Sequence, residues 1–238
     1  MGRLAVVGGH SILGTELGAG AERLDVDVPG GPVALLDAGD HLLLQRHGLD
    51  GYAAAHAVDH RANMRTLAEL GCDRVLALSS VGGLRVELGV GTVLAPDDFI
   101  ALQLGLSYFD DDPGHRVPGF DPTWRARVVD VWRARGDVAI RDGGVYWQTI
   151  GPRFETPAEI RLLAAHADVV GMTVASECVL AGELGLAYAA VCVVDNLANG
   201  VGATPLTLAE FEAGKHANQA RLVRSLAAVV PELARAAP

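Results

Sequence analysis

Short apolar runs alternate with amphipathic stretches along most of the chain, and this alternation predicts an α/β fold. Runs rich in branched apolar residues are typical of buried strands. They occur twice in "GPVALLDAGDHLLLQRHG" and once each in "RLAVVGG", "DRVLALSSVGGL", "GTVLAPDDFIAL", "ADVVGMT" and "AYAAVCVVDN". The stretch "DVAIRDGGVYWQTI" carries Asp-Gly-Gly between two alternating runs, which predicts a β-hairpin.

Helical patterns separate these runs. They occur in "DHRANMRTLAELGC", "DPTWRARVVDVWRARG", "TPAEIRLLAAHA", "SECVLAGELG" and the long closing stretch that follows "TPL". The third begins with Thr156 as N-cap, Pro157 at the first helical position and Glu159 placed to complete a capping box. We therefore predict one domain over residues 1–238. Its fold class is α/β: a three-layer sandwich with a twisted, mixed and mostly parallel sheet and helices on both faces.

One segment, residues 107–122 ("SYFDDDPGHRVPGFDP"), has no periodicity and is predicted to be irregular. Its three consecutive Asp residues are typical of a solvated surface loop. The alternative is a loop that covers a ligand or reaches a neighbouring subunit.

Composition limits the kinds of molecule that the protein is expected to bind. The formal net charge is −10 at pH 7, which argues against nucleic acid but leaves room for a locally positive pocket. The three cysteines lack metal-ligand spacing, and their odd number argues against a disulfide framework. No apolar run approaches the ~18 residues of a membrane span, and the N-terminus does not match a signal sequence. We expect a cytoplasmic protein without a metal site or a membrane partner.

Polar groups follow several predicted strands. "VVGGHSILG", with His10 and Ser11, matches neither common nucleotide-binding glycine motif, but a Gly-rich turn can offer N–H groups to an anion. Arg46 and His47 end another strand, where open α/β sheets place their sites. "SSVGGL" and "GMT" add hydroxyls at two further ends. Taken alone, the Gly-rich turn is more often structural, and Arg46-His47 is about as often a surface pair. Together, these strand ends predict a socket for an oxyanion such as phosphate.

The strand end "VVDNLANG" supplies side-chain amides. Asn196 or Asn199 could serve a turn, or could bind the edge of a heterocycle, because an amide both donates and accepts hydrogen bonds.

In this order, "VVGGHS", "RHG", "SSVGGL", "GPRFETPAEIRLLAAHADVVGMT", "SECVLAGELGLAYAAV" and "DNLANG" resemble the trimeric purine nucleoside phosphorylase and methylthioadenosine phosphorylase family, over roughly residues 4–226. The resemblance implies an α/β sandwich around a twisted mixed sheet and partial barrel. It also implies phosphorolysis without metal or organic cofactor: orthophosphate, the co-substrate, attacks the anomeric carbon of a purine nucleoside and releases free base and pentose 1-phosphate. A homotrimer or a dimer of trimers is expected, with the loop at Tyr108 and Phe109 reaching a neighbouring site.

The resemblance also implies roles for individual residues. The phosphate site would consist of His10, Ser11, Arg46, His47, Ser80 and Thr173. The nucleoside site would consist of Ser79, Phe154, Glu155, Met172, Asn196, Ala198 and Leu208. Three of these are the catalytic candidates: Asn196 and Glu155, which bind the departing base, and His47, which is expected to hold phosphate and not to act as a general base. Arg153 has no role in this set, and we predict a structural ion pair for it.

Two positions select the purine. The adenine-using branch has an acidic pair where this chain has Asn196 and Ala198, so the pattern resembles the 6-oxopurine branch. A 6-oxopurine offers an N1–H to Glu155, whereas adenine would leave the carboxylate unpaired at a cost of about 1–3 kcal/mol. Asn196 would bind O6 and N7 and stabilise the charge that builds on the departing base.

The chain departs from the family pattern at four positions. His10 replaces a Ser or Thr, Ser176 a proline and Asp195 a Thr. Leu208 stands where 6-oxopurine enzymes often have a His that meets the sugar 5′-hydroxyl. A leucine favours an apolar 5′ group, such as that of methylthioinosine, by about 0.8 kcal/mol per buried CH₂. The alternative is that Leu208 packs in the core.

Three other functions stay open at this point. A nucleoside hydrolase would use water in place of phosphate. A nucleoside-binding protein would have lost catalysis through the altered loop at His10. An adenine-specific methylthioadenosine phosphorylase would need Asp195, not Asn196, to face the base.

Overall fold

Eleven strands form one mixed sheet in the computed structural model, which describes residues 2–9, 12, 16–203 and 206–235. The strands are β1 (Arg3–Gly8), β2 (Glu22–Val28), β3 (Gly31–Asp37), β4 (His41–Gln45), β5 (Cys72–Gly83), β6 (Val93–Ala95), β7 (Asp98–Ile100), β8 (Ile140–Asp142), β9 (Val145–Gln148), β10 (Val169–Gly171) and β11 (Ala187–Leu197). Six pairings are parallel and four antiparallel, which confirms the predicted mixed, mostly parallel sheet.

The centre of the sheet is the parallel set β4, β1, β5 and β11. β5 is long enough to pair with three strands: β1 along its first half, β10 at its end and β11 along most of its length. These strands are nearly continuous apolar runs, as expected when both faces of a parallel sheet are covered. All four parallel strands therefore present their carboxyl ends at the same edge.

Five α-helices occur in the described ranges: α1 (His60–Glu69), α2 (Pro122–Arg135), α3 (Pro157–Ala164), α4 (Val174–Glu183) and α5 (Leu208–Arg235). α1 and α4 pack on one face of the sheet, and α2 and α5 pack on the other. α3 packs on the β9 and β10 end. None of these helices combines the length and the apolarity that crossing a membrane requires.

Alternation along β1 shows how the layers form. Leu4 and Val6 belong to the core under α2 and α5, whereas Ala5 and Val7 belong to the core under α1 and α4. Successive strand residues point to opposite faces, so one apolar run supplies both cores. The predicted three-layer arrangement with helices on both faces is confirmed.

The predicted hairpin at "DVAIRDGGVYWQTI" is wrong. β8 pairs in parallel with β6, and β9 pairs in parallel with β7 and β10. The two glycines between them do not close the strands on each other: Gly143 N donates to Ala95 O, and Gly144 N donates to the Asp97 side chain. Bonds to the last residue of β6 and to the loop after it therefore send the two strands to different partners.

Two other local predictions have clear outcomes. The capping box of α3 is confirmed, because Thr156 Oγ1 accepts from Glu159 N and Glu159 Oε2 accepts from Thr156 N. Residues 107–122 are irregular apart from one short 3-10 turn at Asp112–Gly114 and the first residue of α2, as predicted. The strand β2 was not predicted, because its alternating charges ("ERLDVDV") leave little apolar signal at an exposed edge.

Candidate active site

The ends of β1, β4, β5, β10 and β11 surround a cavity of about 360 Å³. This volume lies in the ordinary range of small-molecule sites, about 300–1,000 Å³. The predicted site residues that line it are Arg46, His47, Ser79, Ser80, Phe154, Glu155, Met172, Thr173, Asn196, Ala198 and Leu208. His10 and Ser11 lie outside the described residues. The fold thus brings together every other residue of the predicted site.

Arg46 is the buried cation of the cavity. Its Nε and Nη2 donate to the two carboxylate oxygens of Glu177 at 2.6 and 2.8 Å, and its Nη1 donates to Leu78 O at 2.7 Å. Burial lowers the pKa of Arg46, but the carboxylate of Glu177 outweighs this effect and holds the pKa above its ordinary value. The guanidinium is therefore charged and held at three points.

Gly9 explains how Arg46 reaches the cavity. A Cβ added at Gly9 would lie 2.5 Å from Arg46 Nη1 and 2.9 Å from Leu78 O. Both distances are shorter than a normal contact, so any larger residue would displace the guanidinium or the strand. The glycine that ends the apolar run after β1 is required by this close approach.

His47 lies beside Arg46 and is also buried. Its Nδ1 is 2.8 Å from Ala53 O, and since a carbonyl only accepts, Nδ1 carries the proton. The ring stacks on Tyr52 with centroids 5.0 Å apart. The loop after β4 thus fixes the tautomer and the plane of the imidazole.

The start of α4 provides a hydroxyl. Thr173 N and Val174 N donate to Tyr146 Oη at 3.2 and 3.4 Å, and Ser176 N donates to Gln148 Oε1 at 3.1 Å. These backbone donors already have protein acceptors. The Thr173 side chain makes no capping bond and lines the cavity.

The two serines of "SSVGGL" differ in their contacts. Ser80 Oγ donates to the carboxylate of Asp195, which is buried and does not line the cavity. While this bond stands, the Ser80 hydroxyl cannot donate to an anion, and only its backbone N–H can fill the predicted role. Ser79 is buried and lines the cavity, with a long contact of 3.4 Å to Ser80 O.

Glu155 and Asn196 also line the cavity, and we call these two residues its polar wall. Glu155 is buried, and its Oε1 accepts from Thr149 Oγ1 at 2.6 Å. Asn196 Nδ2 donates to Leu197 O at 2.9 Å, which leaves one amide hydrogen and the amide oxygen for other partners. This wall combines a carboxylate acceptor with an amide that both donates and accepts.

A break in strand register accounts for the position of Asn196. Along β11, Val194 pairs with Val81 and Asn196 with Gly82, so Asp195 is an extra residue in the ladder. A bulge of this kind changes the side to which the following side chain points. Asp195 contacts Ser80 and Asn218 Nδ2 (2.8 Å), while Asn196 lines the cavity.

Several lining residues were not predicted. Phe211 lies in α5 near Leu208, and its ring is 5.9 Å from that of Phe154. Tyr52 and Leu206 also line the cavity. The i,i+3 spacing of Leu208 and Phe211 was the available signal, because it places both side chains on one side of the helix. Leu208 is 67% exposed, so the alternative that it packs in the core is wrong.

Arg153 lies just outside the cavity lining. Its Nη1 and Nη2 donate to the two carboxylate oxygens of Glu159, each at 2.8 Å, which confirms the predicted ion pair. Among the described residues, no group of three or more His, Cys, Asp or Glu side chains is arranged to hold a metal ion.

A cavity at the carboxyl ends of parallel strands, lined by a buried cation, a carboxylate and a carboxamide, defines a small-molecule site of the α/β class. The chain belongs to the phosphorylase superfamily: a model of that family matches residues 3–231. The family resemblance seen in the sequence motifs is thereby confirmed.

Individual relatives carry names of three related kinds. A probable 6-oxopurine nucleoside phosphorylase of Archaeoglobus fulgidus is 38% identical over 202 residues, which cover 83% of each chain. A probable S-methyl-5′-thioinosine phosphorylase of Xanthomonas campestris is 36% identical and covers 87% of this chain and 88% of that protein. An S-methyl-5′-thioadenosine phosphorylase of Mycolicibacterium smegmatis is 36% identical and covers 83% of this chain and 78% of that protein.

The fold is also that of a solved structure. Methylthioadenosine phosphorylase from Schistosoma mansoni, in complex with adenine, superposes with a TM-score of 0.86 over 100% of this chain and 93% of that chain. The identity is 20%, so the likeness bears on the fold alone.

Proposed function

We propose that the chain is a purine nucleoside phosphorylase that acts on 6-oxopurine ribonucleosides or deoxyribonucleosides and releases free base and pentose 1-phosphate. One observation carries the proposal: a single cavity is lined by both the Glu155–Asn196 pair and the group formed by Arg46, His47 and Thr173. The first matches a purine edge, and the second matches an oxyanion. The names of relatives at 36–38% identity support the same activity.

The choice of base follows from the hydrogen-bond donors and acceptors that Glu155 and Asn196 offer. Glu155 is a hydrogen-bond acceptor, and its Oε1 already receives the Thr149 hydroxyl at 2.6 Å. An ionised carboxylate needs a donor, and the N1–H of hypoxanthine or guanine supplies it. Asn196 would donate to N7 or O6, and Phe154 would cover the face of the ring.

The reaction would proceed mainly by positioning and charge stabilisation. Phosphate held by Arg46, His47, the Ser80 N–H and Thr173 would attack the anomeric carbon, with the sugar over Met172 and near Ser79. The C–N bond electrons would move to the base, where Asn196 and Glu155 stabilise the developing charge. Orthophosphate is the co-substrate, and we propose that no metal or organic cofactor takes part; turnover should then be unchanged by a chelator.

The 5′ end of the sugar would meet an apolar surface. Leu206, Leu208 and Phe211 all line the cavity from α5 and the residues before it. A buried CH₂ contributes about 0.8 kcal/mol, so a methylthio group should bind better than a hydroxyl here. We therefore expect 5′-methylthioinosine to be used at least as well as inosine. Leu208→Ala should lower kcat/KM for methylthioinosine about tenfold and change that for inosine less than threefold.

A methylthioadenosine phosphorylase is the second candidate, because one relative of comparable identity carries that name. This function would require a carboxylate from "VVDNLANG" to accept the adenine amino group. Asp195 is only 1% exposed and is bonded to Ser80 and Asn218, away from the cavity. The arrangement therefore favours the 6-oxopurine proposal.

The decisive assay measures base release from inosine, guanosine, methylthioinosine and methylthioadenosine, each with and without orthophosphate. We expect phosphate-dependent release from the three 6-oxopurine nucleosides. Release without phosphate would identify a hydrolase, and tight binding without release would identify a nucleoside-binding protein. A large preference for methylthioadenosine would overturn the assignment of Glu155 and Asn196.

A single substitution tests the base-binding wall. Asn196→Asp replaces the amide by an acceptor, which repels O6 of hypoxanthine and suits the amino group of adenine. We expect kcat/KM for inosine to fall at least about 100-fold, because the lost hydrogen bond and the new acceptor–acceptor contact each cost about 1–3 kcal/mol. The value for methylthioadenosine should rise relative to inosine. An unchanged ratio would show that Asn196 does not read the base.

A homotrimer, or a dimer of trimers, remains part of the proposal, together with a cytoplasmic location. In one chain, Tyr108 Oη donates to Arg61 O at 2.6 Å, and Tyr108 N donates to Glu183 at 2.6 Å. Tyr108 is thus held on its own subunit, which leaves Phe109 as the aromatic for a neighbouring site. Sedimentation equilibrium should give three or six times the mass of the chain.

A further inference from the structure

A buried carboxylate lies directly behind the phosphate end of the cavity. Glu177, in the first turn of α4, is fully buried and does not line the cavity. Both of its oxygens accept from Arg46, at 2.6 and 2.8 Å, and one also accepts from Tyr188 Oη at 2.7 Å. This pairing is a bidentate fork, the most directional arrangement that Arg and a carboxylate can form.

The pairing fixes where the rest of the guanidinium points. A guanidinium has five N–H groups in one rigid plane. Two of those of Arg46 bind Glu177 and one binds Leu78 O. The other two, one on each Nη, make no hydrogen bond with the described residues. Because the plane is rigid, the bonds to Glu177 and Leu78 determine the direction of the two that remain.

The charges of Glu177 and its neighbours show that the pair does not give the cavity a net positive charge. Its contribution is to orient Arg46. Burial raises the pKa of Glu177, but the charge of Arg46 outweighs burial and lowers it, so the carboxylate is ionised. His60 Nδ1 faces the same carboxylate from α1, at 3.7 Å, and burial lowers the pKa of His60. The third group that faces it, Tyr188, is neutral. Arg46 and Glu177 together thus carry no net charge.

Stability alone does not account for such a pair. Desolvation of two buried charges roughly cancels their attraction, and apolar side chains of the same volume are often as stable. We propose that Glu177 is a positioning residue, which sets the Arg46 fork so that its two remaining N–H groups meet phosphate. This inference rests on the proposed function, because it takes Arg46 as a phosphate ligand.

Glu177→Gln tests the inference with little change in shape. The carboxamide keeps one acceptor but turns an NH₂ group toward the guanidinium, so one arm of the fork is lost. We expect KM for phosphate to rise about tenfold, by analogy with the 10–100-fold loss that follows when the group behind a metal ligand is altered. KM for inosine should change less than about threefold, and so should kcat at saturating phosphate. A purely structural role would instead lower thermal stability or kcat without this selective effect.

Tyr188→Phe is the matched control. It removes the other hydrogen bond to the same carboxylate and leaves both arms of the Arg46 fork in place. KM for phosphate should stay within about twofold. Glu177→Asp keeps the negative charge but shortens the side chain by one CH₂. We expect its KM for phosphate to lie between that of the parent and that of Glu177→Gln. This variant therefore carries the test if Glu177→Gln does not fold.

A second measurement separates this inference from the proposed function. Inorganic phosphate should raise the melting temperature of the parent, and the same concentration should raise that of Glu177→Gln clearly less. If the parent shows no phosphate-dependent base release, the proposed function fails, but the binding comparison still tests Glu177. Unchanged phosphate KM and unchanged phosphate stabilisation in the Gln and Asp variants would overturn the inference.

Discussion

Asp195 is a buried acid beside the cavity, and its neighbours decide its charge. It accepts from Ser80 Oγ and from Asn218 Nδ2, and its position in the β11 bulge keeps it away from the cavity. Burial raises the pKa of Asp195, and the hydrogen bonds from Asn218 and Ser80 lower it by less, so the pKa lies above the ordinary value. The folded state therefore holds this proton more tightly than the unfolded state does.

The sign of the resulting pH dependence follows from linkage. Between the ordinary pKa of 3.8 and the raised one, the folded protein binds more proton than the unfolded protein, so this group lowers stability as pH rises. Asp195→Asn removes the effect. The free energy of unfolding of the variant, minus that of the parent, should increase as pH rises from 4 upward. Urea denaturation across pH 4–7 measures it, with the exposed Asp110→Asn as control; a flat difference would contradict the argument.

At the scale of single residues, the sequence identified the functional side chains but not which way they point or what they contact. Arg46, Glu155 and Asn196 could be named because they follow apolar strands or a recognisable motif. The strand pattern alone does not predict whether Asp195 or Asn196 faces the cavity. One extra residue in β11 decides this, and a bulge cannot be predicted reliably from a single sequence. The partner of Arg46 was also hidden, since Glu177 is 131 positions away in the chain.

At the scale of elements, α5 forms part of the cavity wall because it approaches β11 very closely. A Cβ built on Gly214 would lie 1.7 Å from Asp195 O, so no side chain fits between the helix and the strand. Asn218, one turn further on, donates to Val194 O and to the Asp195 carboxylate. These contacts hold the first turns of α5, and with them Phe211, against the cavity.

Two glycine substitutions test this close approach. Gly to Ala inside a helix normally stabilises by about 0.5–1 kcal/mol. Gly182→Ala in α4 should follow that rule, because nothing lies within 4 Å of its Cβ position. Gly214→Ala should instead destabilise by about 1–3 kcal/mol, the usual cost of overpacking, and should raise KM for the nucleoside. Thermal denaturation and steady-state kinetics of both variants measure these effects. Similar changes in stability and in nucleoside KM for the two variants would show that α5 can shift away from β11 without cost.

Element prediction succeeded where local patterns dominate. The capping box of α3 and the apolar runs of β1, β5 and β11 are strong local signals, and the elements form where they were expected. The predicted hairpin does not form because Gly143 bonds to the last residue of β6 and Gly144 to the loop after it, contacts that depend on the whole sheet. β2 was missed because an exposed edge strand needs few apolar residues.

For the whole molecule, the distribution of charge matters more than its sum. The formal net charge is −10, yet the cation that lines the phosphate end is buried, with its own counter-charge behind it. The net negative charge of the protein thus repels anions at long range. At the site, N–H groups that point into the cavity would bind an anion through short hydrogen bonds. Phosphate affinity should accordingly depend weakly on ionic strength, because buried contacts are screened less than surface charges.

Ligand binding should stabilise the entire fold, because the cavity joins five strands of the sheet to the start of α5. Ligand at 100 times its Kd contributes about 2.7 kcal/mol. For a domain of this size, each kcal/mol shifts Tm by about 2–4 °C. Hypoxanthine with phosphate should therefore raise Tm by about 5–10 °C, whereas adenine with phosphate should add little beyond phosphate alone. Differential scanning calorimetry with sodium chloride in place of phosphate is the control; an equal shift with adenine would mean that Glu155 and Asn196 do not select the base.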